Sequence, residues 1–337
     1  MRLRKILDTP EIQGIYTACA FEFGGRTVIC AGPEKSGRSI LLDLQSGEVE
    51  TISDGPGGVM SIVPVPGRDD MLVSVMGLFP PFIGAEAGIF RHWKRDGKWR
   101  TDKVTDMPFA HRCDTVCFDG RCYLVSCTVS SHKDDPQDWS CPGCAYMIPL
   151  DRPEEDRWHA VLLNGNMTKN HGMLKCFRDG RESLMISSHE GVFEVVVDRG
   201  VVRLKSVFTS PVSEFAFADL DGDGVDEMVC IEPFHGNRLN VYHRTGTGYE
   251  LIGGDDLSFG HGLSAGVMGD KSYIAVGNRG ESKQLSIYWL EEACGLQKFE
   301  LEPSAGTTQT QFFRMGEMRM LLAANQLYDR ASVYELY

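Results

Sequence analysis

Residues 213–244 read SEFAFADLDGDGVDEMVCIEPFHGNRLNVYHR, and their order sets the template for the whole chain. An alternating strand runs into an Asp/Gly-rich turn, a second and more apolar strand follows, a polar loop carries His235, and a third alternating strand closes the unit. The turn has the form D-x-D-x-D-G-x-x-E. Asp219, Asp221 and Asp223 stand at alternate positions, Gly224 allows the bend, and Glu227 occupies the ninth position. Hard oxygen ligands gathered on one side of a tight loop suit Ca²⁺. Lying between two strands, this loop is a hairpin tip and not a helix–loop–helix site.

The same unit recurs along the chain. Copies span approximately 12–53, 57–106, 109–163, 169–208, 212–253, 259–302 and 307–337, each with three or four short strands joined by Gly or Asp turns. Seven units of this length are the signature of a β-propeller blade array. The seventh copy stops after its third strand, and Arg2 to Leu7 read as a spare strand. Pairing the two closes the ring and leaves no open edge. The expected fold is therefore all-β, a seven-bladed propeller forming a single domain over 1–337. A pair of β-sandwiches fits less well, because it gives no reason for seven equal units. The Asp219–Glu227 turn resembles the calcium hairpins of FG-GAP and VCBS repeats, which build propeller blades such as those of integrin alpha subunits.

Composition narrows the function. The chain has 337 residues, 42% hydrophobic and 24% charged, enough to bury a large core. A net charge of −13 argues against nucleic acid or an anionic membrane as partner. The N-terminus lacks the apolar run of a signal peptide, and no stretch is long enough to cross a bilayer. Cysteines number eleven, and Cys19, Cys30, Cys117, Cys127, Cys176 and Cys230 fall in apolar strand-like segments, as buried thiols do. These features predict a reducing compartment, most simply the cytoplasm.

Blade topology sorts the polar residues. In a propeller, the link into the innermost strand and the loop between the second and third strands share one face. The hairpin between the first and second strands lies on the other. His111, His171 and His261 stand at the entry to innermost strands, with Ser213–Glu214 at that place in the fifth copy. His189, His235 and Arg279 fall in second-to-third loops, with Asn325 and Gln326 in the seventh copy and Lys35 in the first. His171 to His189 has the same separation as His261 to Arg279, which makes them equivalent positions. Five histidines are thereby expected at one mouth. His111, His171 and His261 form a candidate set for Zn, Mn or Fe, with Glu214 or Glu190 as oxygen ligand or base. They equally suit metal-free acid–base work on a sugar. The Asp219, Asp221, Asp223 and Glu227 set would hold a structural Ca²⁺ on the opposite face. Loops 79–88 and 130–143, with Phe79, Phe82 and Trp139, are expected as pocket walls whose aromatic rings stack on a sugar. Cys141-Pro-Gly-Cys144 has redox or half-zinc spacing, with no second such pair beside it.

HGLSAG followed by VMGDK is similar to repeats in the propeller of the aldos-2-ulose dehydratases, enzymes that dehydrate and isomerise keto sugars. The similarity covers the propeller only; nothing here resembles the cupin domains of that family. His261 matches the motif histidine and Asp219–Glu227 the calcium turn, whereas the turn at 267–271 lacks acidic ligands. The resemblance points to a lyase, dehydratase or isomerase acting on a keto sugar or sugar acid, and with His111, His171 and His261 as ligands the expected enzyme is metal-dependent. Its acid–base groups would be His189 or His235 with Glu214, and Arg279 would take a carboxylate or enolate oxygen. Lys35, Trp139, Asn325 and Gln326 would bind substrate. The competing reading is a non-catalytic propeller that binds a carbohydrate or a protein partner.

Overall fold

The computed structural model describes residues 3–79, 84–178, 180–291 and 295–336. Strand β1 (Leu3–Asp8) is followed by seven consecutive groups. The first is β2 (Ile15–Phe23), β3 (Arg26–Pro33), β4 (Ser39–Asp43) and β5 (Val49–Ser53); the second is β6 (Ser61–Pro64), β7 (Met71–Met76), β8 (Gly88–Arg95) and β9 (Lys98–Asp106). Next come β10 (Ala110–Phe118), β11 (Arg121–Thr128), β12 (Gly143–Pro149) and β13 (Val161–Met167), then β14 (Met173–Arg178), β15 (Arg181–Ser188), β16 (Gly191–Asp198) and β17 (Val201–Phe208). The fifth group is β18 (Glu214–Ala218), β19 (Glu227–Glu232), β20 (Arg238–Thr245) and β21 (Gly248–Asp256), and the sixth β22 (Gly260–Met268), β23 (Lys271–Asn278), β24 (Leu285–Glu291) and β25 (Gly295–Glu302). The last is β26 (Thr307–Met315), β27 (Met318–Asn325) and β28 (Arg330–Leu336), with the turn Gln326–Tyr328 as the single helical element among the described residues.

Each group is a four-stranded antiparallel sheet in sequence order, and the seventh is completed by β1, in the order β1-β28-β27-β26. The fold is a seven-bladed β-propeller. The spare strand expected at the start of the chain is found at Leu3–Asp8, paired with β28 from Leu3↔Leu336 to Asp8↔Ser332. Among the described residues no helix is long and apolar enough to cross a membrane.

Two compact units divide the contacts. One is Phe21–Pro211, and the other is Met1–Ala20 with Val212–Tyr337. In both, the core lies in layers between neighbouring sheets. In the first, Val116, Val125 and Ala145 of the third blade pack on Leu184, Ile186 and Val195 of the fourth. In the second, Val229, Ile231 and Val241 of the fifth blade meet Ile274 and Val276 of the sixth. The mostly apolar, buried runs of second strands such as β15, β19 and β23 follow from burial on both faces. Close approach fixes one glycine in particular: a Cβ on Gly266 would lie 2.7 Å from Phe312 Cβ in the next blade.

One expectation fails here. Cys117 is not a buried thiol but is joined to Cys122 by a disulfide, with Cα atoms 4.1 Å apart. The Asp119-Gly120 turn pairs Phe118 with Arg121, so Cys117 and Cys122 stand directly across the β10–β11 ladder. Cys30, Cys127 and Cys230 are buried as expected, while Cys19 and Cys176 are only partly so.

A polar group in the core of the second blade gives the first unit a pH signature. His92 is fully buried, with Nε2 2.7 Å from Ser74 Oγ and Nδ1 2.9 Å from Thr101 Oγ1. Burial pushes its pKa down to about 4, so it folds neutral. Above pH 6.5 both folded and unfolded imidazoles are neutral and nothing is gained or lost. As pH falls from 6.5 towards 4, the unfolded chain takes up a proton that the folded chain refuses, and stability falls by up to roughly 3 kcal/mol. Chemical-denaturation midpoints measured from pH 7 to pH 4 are expected to fall less steeply for His92→Gln than for the wild type. Parallel curves would exclude His92 as a titrating group.

Candidate functional site

A single backbone device positions the inner-strand side chains. Six of the seven innermost strands are approached through a residue with positive φ: Gly14 (61°), Gly58 (64°), Phe109 (62°), Lys169 (54°), Phe259 (57°) and Gly306 (58°). Two residues after each comes the same structural position, occupied by Tyr16, Met60, His111, His171, His261 and Thr308; in the fifth blade the strand register puts Ser213 there, with Glu214 one residue further on. Glycine serves where the position holds Tyr, Met or Thr. Where it holds histidine, a phenylalanine or lysine takes the left-handed conformation, at a cost of about 1–2 kcal/mol each.

In the unit of residues 1–20 and 212–337, this position forms a connected group. His261 is fully buried, and its Nδ1 lies 2.7 Å from the carbonyl oxygen of Thr308. A carbonyl only accepts, so Nδ1 carries the proton and donates. Nε2 is then the acceptor, and it faces Tyr16 Oη at 3.0 Å, with the phenol donating. Thr308 Oγ1 in turn donates to the Tyr16 carbonyl at 2.6 Å. Phenol, imidazole and backbone are thus locked in one orientation.

The second-to-third loops stand over this group. His235, at φ 48°, stacks on Phe234 with centroids 3.9 Å apart and lies 5.1 Å from the His261 ring. Phe259 is 4.6 Å from His235 and remains 41% exposed, so an aromatic surface faces outwards beside the histidines. Arg279 places its guanidinium 5.7 Å from the Tyr16 ring centroid and donates to Gln326 Oε1 at 2.6 Å. Gln326 follows Thr308 by the same separation as Arg279 follows His261, so equivalent loop positions of adjacent blades meet. Glu214 is buried at the start of β18. Asn325 is spent on the sheet itself: its Oδ1 accepts from Thr307 Oγ1 at 2.7 Å, and its Nδ2 donates to Ser332 Oγ and Tyr334 Oη, both at 3.1 Å.

In the unit of residues 21–211, His111 and His171 are buried, with ring centroids 4.6 Å apart. The buried Arg112 guanidinium ties the same level of the blades together, donating to the carbonyls of His171 (3.0 Å) and Met60 (2.8 Å). His189 and Lys35 are exposed. Glu190 accepts the Thr168 amide through Oε2 at 2.8 Å. Lys133 sits 3.3 Å above the Trp139 ring and donates to the carbonyls of Pro136 and Asp138, covering one aromatic face. Burial pulls the Lys133 pKa below the usual lysine range. Phe82, expected as a pocket wall, lies outside the described residues. Cys141 and Cys144 are partly buried and not bonded to each other.

The Asp-rich turn joins β18 to β19 at the far end of these strands from His235, as the hairpin reading requires. Its four carboxylates fall in two groups that share Asp221: Asp219, Asp221 and Asp223, and Asp221 with Glu227 and His243. Asp219 accepts the amides of Gly222 and Gly224, Asp221 that of Asp223, and Asp223 that of Val225, and ligand atoms of these three lie within 4.8 Å of one another. Glu227 is instead turned inwards, accepting the Leu220 amide at 2.8 Å and meeting His243 Nδ1 at 2.8 Å. The Glu227 contact raises the His243 pKa, while burial raises that of Glu227. The three aspartates keep free lone pairs for a cation, and Glu227 with His243 supports the loop from beneath.

Two contributors were not singled out from sequence. Tyr16 carries the same lead-in signal as His261, a residue with positive φ two places earlier, written as Gly14. His243 lies in an alternating strand, where nothing local marks it as the partner of Glu227.

No protein-family model and no curated protein sequence matches the chain. Solved structures do match it. The β-propeller domain of Cps50 (Swd1) from Myceliophteria thermophila superposes with a TM-score of 0.63 at 9% identity, covering 100% of both chains. A chain of the mitotic checkpoint complex gives 0.62 at 13% identity, over 100% of this chain and 94% of its own. A PQQ-bound aldose sugar dehydrogenase from Streptomyces coelicolor gives 0.52 at 12% identity, over 99% and 98%. At these identities the likeness is one of fold.

Proposed function

We propose that this chain is an acid–base enzyme that eliminates from, or isomerises, a keto sugar or sugar acid at the Tyr16–His261 pair. The observation that carries the reading is the Tyr16 Oη to His261 Nε2 contact, with Nδ1–H held on the Thr308 carbonyl. A neutral imidazole fixed in this tautomer is a base for the phenol. As Tyr16 Oη takes the proton from the carbon next to the substrate carbonyl, its own proton passes to Nε2, and the imidazolium stays anchored through Nδ1. The electron pair left on carbon moves to the carbonyl oxygen, where the Arg279 guanidinium offsets the new charge. Collapse of that enolate expels a neighbouring hydroxyl, which leaves as water with the proton returned by the pair or by His235. Return of the proton to the adjacent carbon gives the isomer instead. The exposed Phe259 face beside His235 suits a sugar ring.

The transition-metal form of this idea rests on His111 and His171, whose rings approach to 4.6 Å. Zn, Mn or Fe there would polarise a carbonyl. His261 is a poorer ligand because Nε2 is engaged by Tyr16. The fold itself is neutral between catalysis and binding, being found in a sugar dehydrogenase and in a checkpoint assembly, so a propeller that only binds a carbohydrate or protein is the alternative. The FG-GAP-like hairpin is proposed as a structural Ca²⁺ site at Asp219, Asp221 and Asp223. A single domain and a cytoplasmic setting are consistent with this proposal, although the Cys117–Cys122 disulfide would be short-lived among reduced thiols.

Incubation with a panel of keto sugars and sugar acids, followed by the absorbance of unsaturated products, is expected to give turnover that falls roughly 10²- to 10⁴-fold in Tyr16→Phe and His261→Ala. Arg279→Lys should raise KM about tenfold, since the fork geometry is lost. Turnover indifferent to all three changes, or none with any substrate, would favour the binding reading. Separately, Ca²⁺ at a hundred times its Kd should stabilise the protein by about 2.7 kcal/mol in thermal melts, and Asp221→Asn should abolish the shift. Identical melts in Ca²⁺ and chelator would make the hairpin an ordinary Asp-Gly turn.

A further inference from the structure

A groove of about 660 Å³ runs between the outermost strands of the first and second blades, within the unit of residues 21–211. Its walls are β5 and β9, each hydrogen-bonded to a neighbour on one side only. Part of the β9 edge is closed by the chain itself: the Trp158 amide donates to the Val104 carbonyl at 2.9 Å, and Thr105 Oγ1 donates to the Trp158 carbonyl at 2.9 Å. Along Lys98–Asp102, among the described residues, no backbone hydrogen bond closes that edge. The open stretch is five residues, about 17 Å of strand at roughly 3.3 Å per residue.

The segment that carries this edge is locally basic. The protein carries −13 overall, yet residues 91–103, RHWKRDGKWRTDK, hold six Lys or Arg against two Asp. Several of these cations are already matched: Arg91 Nη2 lies 3.0 Å from Asp102, and Lys94 Nζ lies 2.7 Å from Glu50. Trp99 is a fixed wall, stacked on Phe23 at 6.1 Å and donating to Glu50 Oε2 at 2.8 Å. Lys98 and Arg100 differ. Both line the groove and have no carboxylate within ion-pair distance among the described residues. Asp54 is the acidic lining residue without a cation beside it, so the positive character belongs to the β9 wall and not to β5.

We propose that this groove binds an extended acidic peptide segment of a partner protein, which adds as a strand to the open edge of β9 with its carboxylates against Lys98 and Arg100. An open strand edge supplies main-chain donors and acceptors in register, and an edge closed just beyond Asp102 by residue 158 limits the added strand to a short one. Two cations without a carboxylate partner at this open edge favour an acidic sequence over a basic one. The surface lies along the outer strands and does not draw on Tyr16, His261 or Arg279, so it stands or falls apart from the catalytic reading.

The test uses the full chain and a fluorescein-labelled peptide, acetyl-Glu-Val-Glu-Val-Asp-Val-Glu-amide, with its all-lysine counterpart, a heparin oligosaccharide and a short DNA duplex as competitors. Anisotropy titration is expected to show saturable binding of the acidic peptide and none of the lysine peptide. The double variant Lys98→Glu, Arg100→Glu should weaken binding at least tenfold with its thermal midpoint unchanged, because both side chains project to solvent. Hydrogen exchange should slow at residues 98–102 when the peptide is bound. Unchanged affinity in the double variant, protection elsewhere, or no binding would overturn the proposal. Competition by heparin or DNA as strong as by unlabelled peptide would overturn it too, by making the surface a general polyanion site.

Discussion

Each innermost strand but one is approached through a single residue in the left-handed region, and the chemistry of the molecule hangs on that turn. A chain that reverses so sharply must place the second following residue at a fixed height, with its carbonyl free to accept. The carbonyls are used accordingly. That of Thr308 holds His261, that of Tyr16 holds Thr308, and those of Met60 and His171 hold Arg112. Neighbouring blades are stitched at one level by side chains reaching the backbone of the next. That Phe109, Lys169 and Phe259 accept a conformation better suited to glycine, each two residues before a histidine, marks the positions where side-chain placement is worth the strain.

Orientation follows from this stitching. A lone histidine can protonate on either nitrogen and rotate. His261 has neither freedom, because a carbonyl claims one nitrogen and a phenol the other. The pair is buried, while His235, Phe259 and Arg279 come from or border the second-to-third loops, which can vary without disturbing the sheets. A rigid acid–base pair beneath an aromatic and cationic rim is an arrangement suited to small polar ring-shaped substrates.

Much of the fold was legible because each blade repeats its punctuation. The Asp-Gly and Gly-Gly turns recur at blade spacing, and the apolar second strands read as buried on both faces. The histidines at 111, 171 and 261 were legible from topology alone, since a residue at the entry of an innermost strand has one place to be. Tyr16 escaped because Gly14, the positive-φ residue that makes it equivalent, reads in sequence as an ordinary turn glycine. His243 and the Cys117–Cys122 bond escaped because both are matters of register across strands, not of local pattern, although the Asp119-Gly120 turn fixes the second of these once it is read as a two-residue hairpin. Asn325 sat in the right loop by sequence, yet its amide faces the sheet, where Thr307, Ser332 and Tyr334 engage it. Facing is set by which partner offers the better bond, and sequence spacing does not carry that.

The most direct check on the Tyr16–His261 pair is a long-range ¹H–¹⁵N spectrum of the histidine side chains at neutral pH, recorded for the wild type and Tyr16→Phe. His261 is expected as the neutral Nδ1–H tautomer, with a bare Nε2 whose resonance moves when the phenol hydroxyl is removed while Nδ1–H persists. An Nε2–H tautomer, an imidazolium at neutral pH, or an Nε2 signal indifferent to Tyr16→Phe would contradict the arrangement on which the proposed chemistry rests.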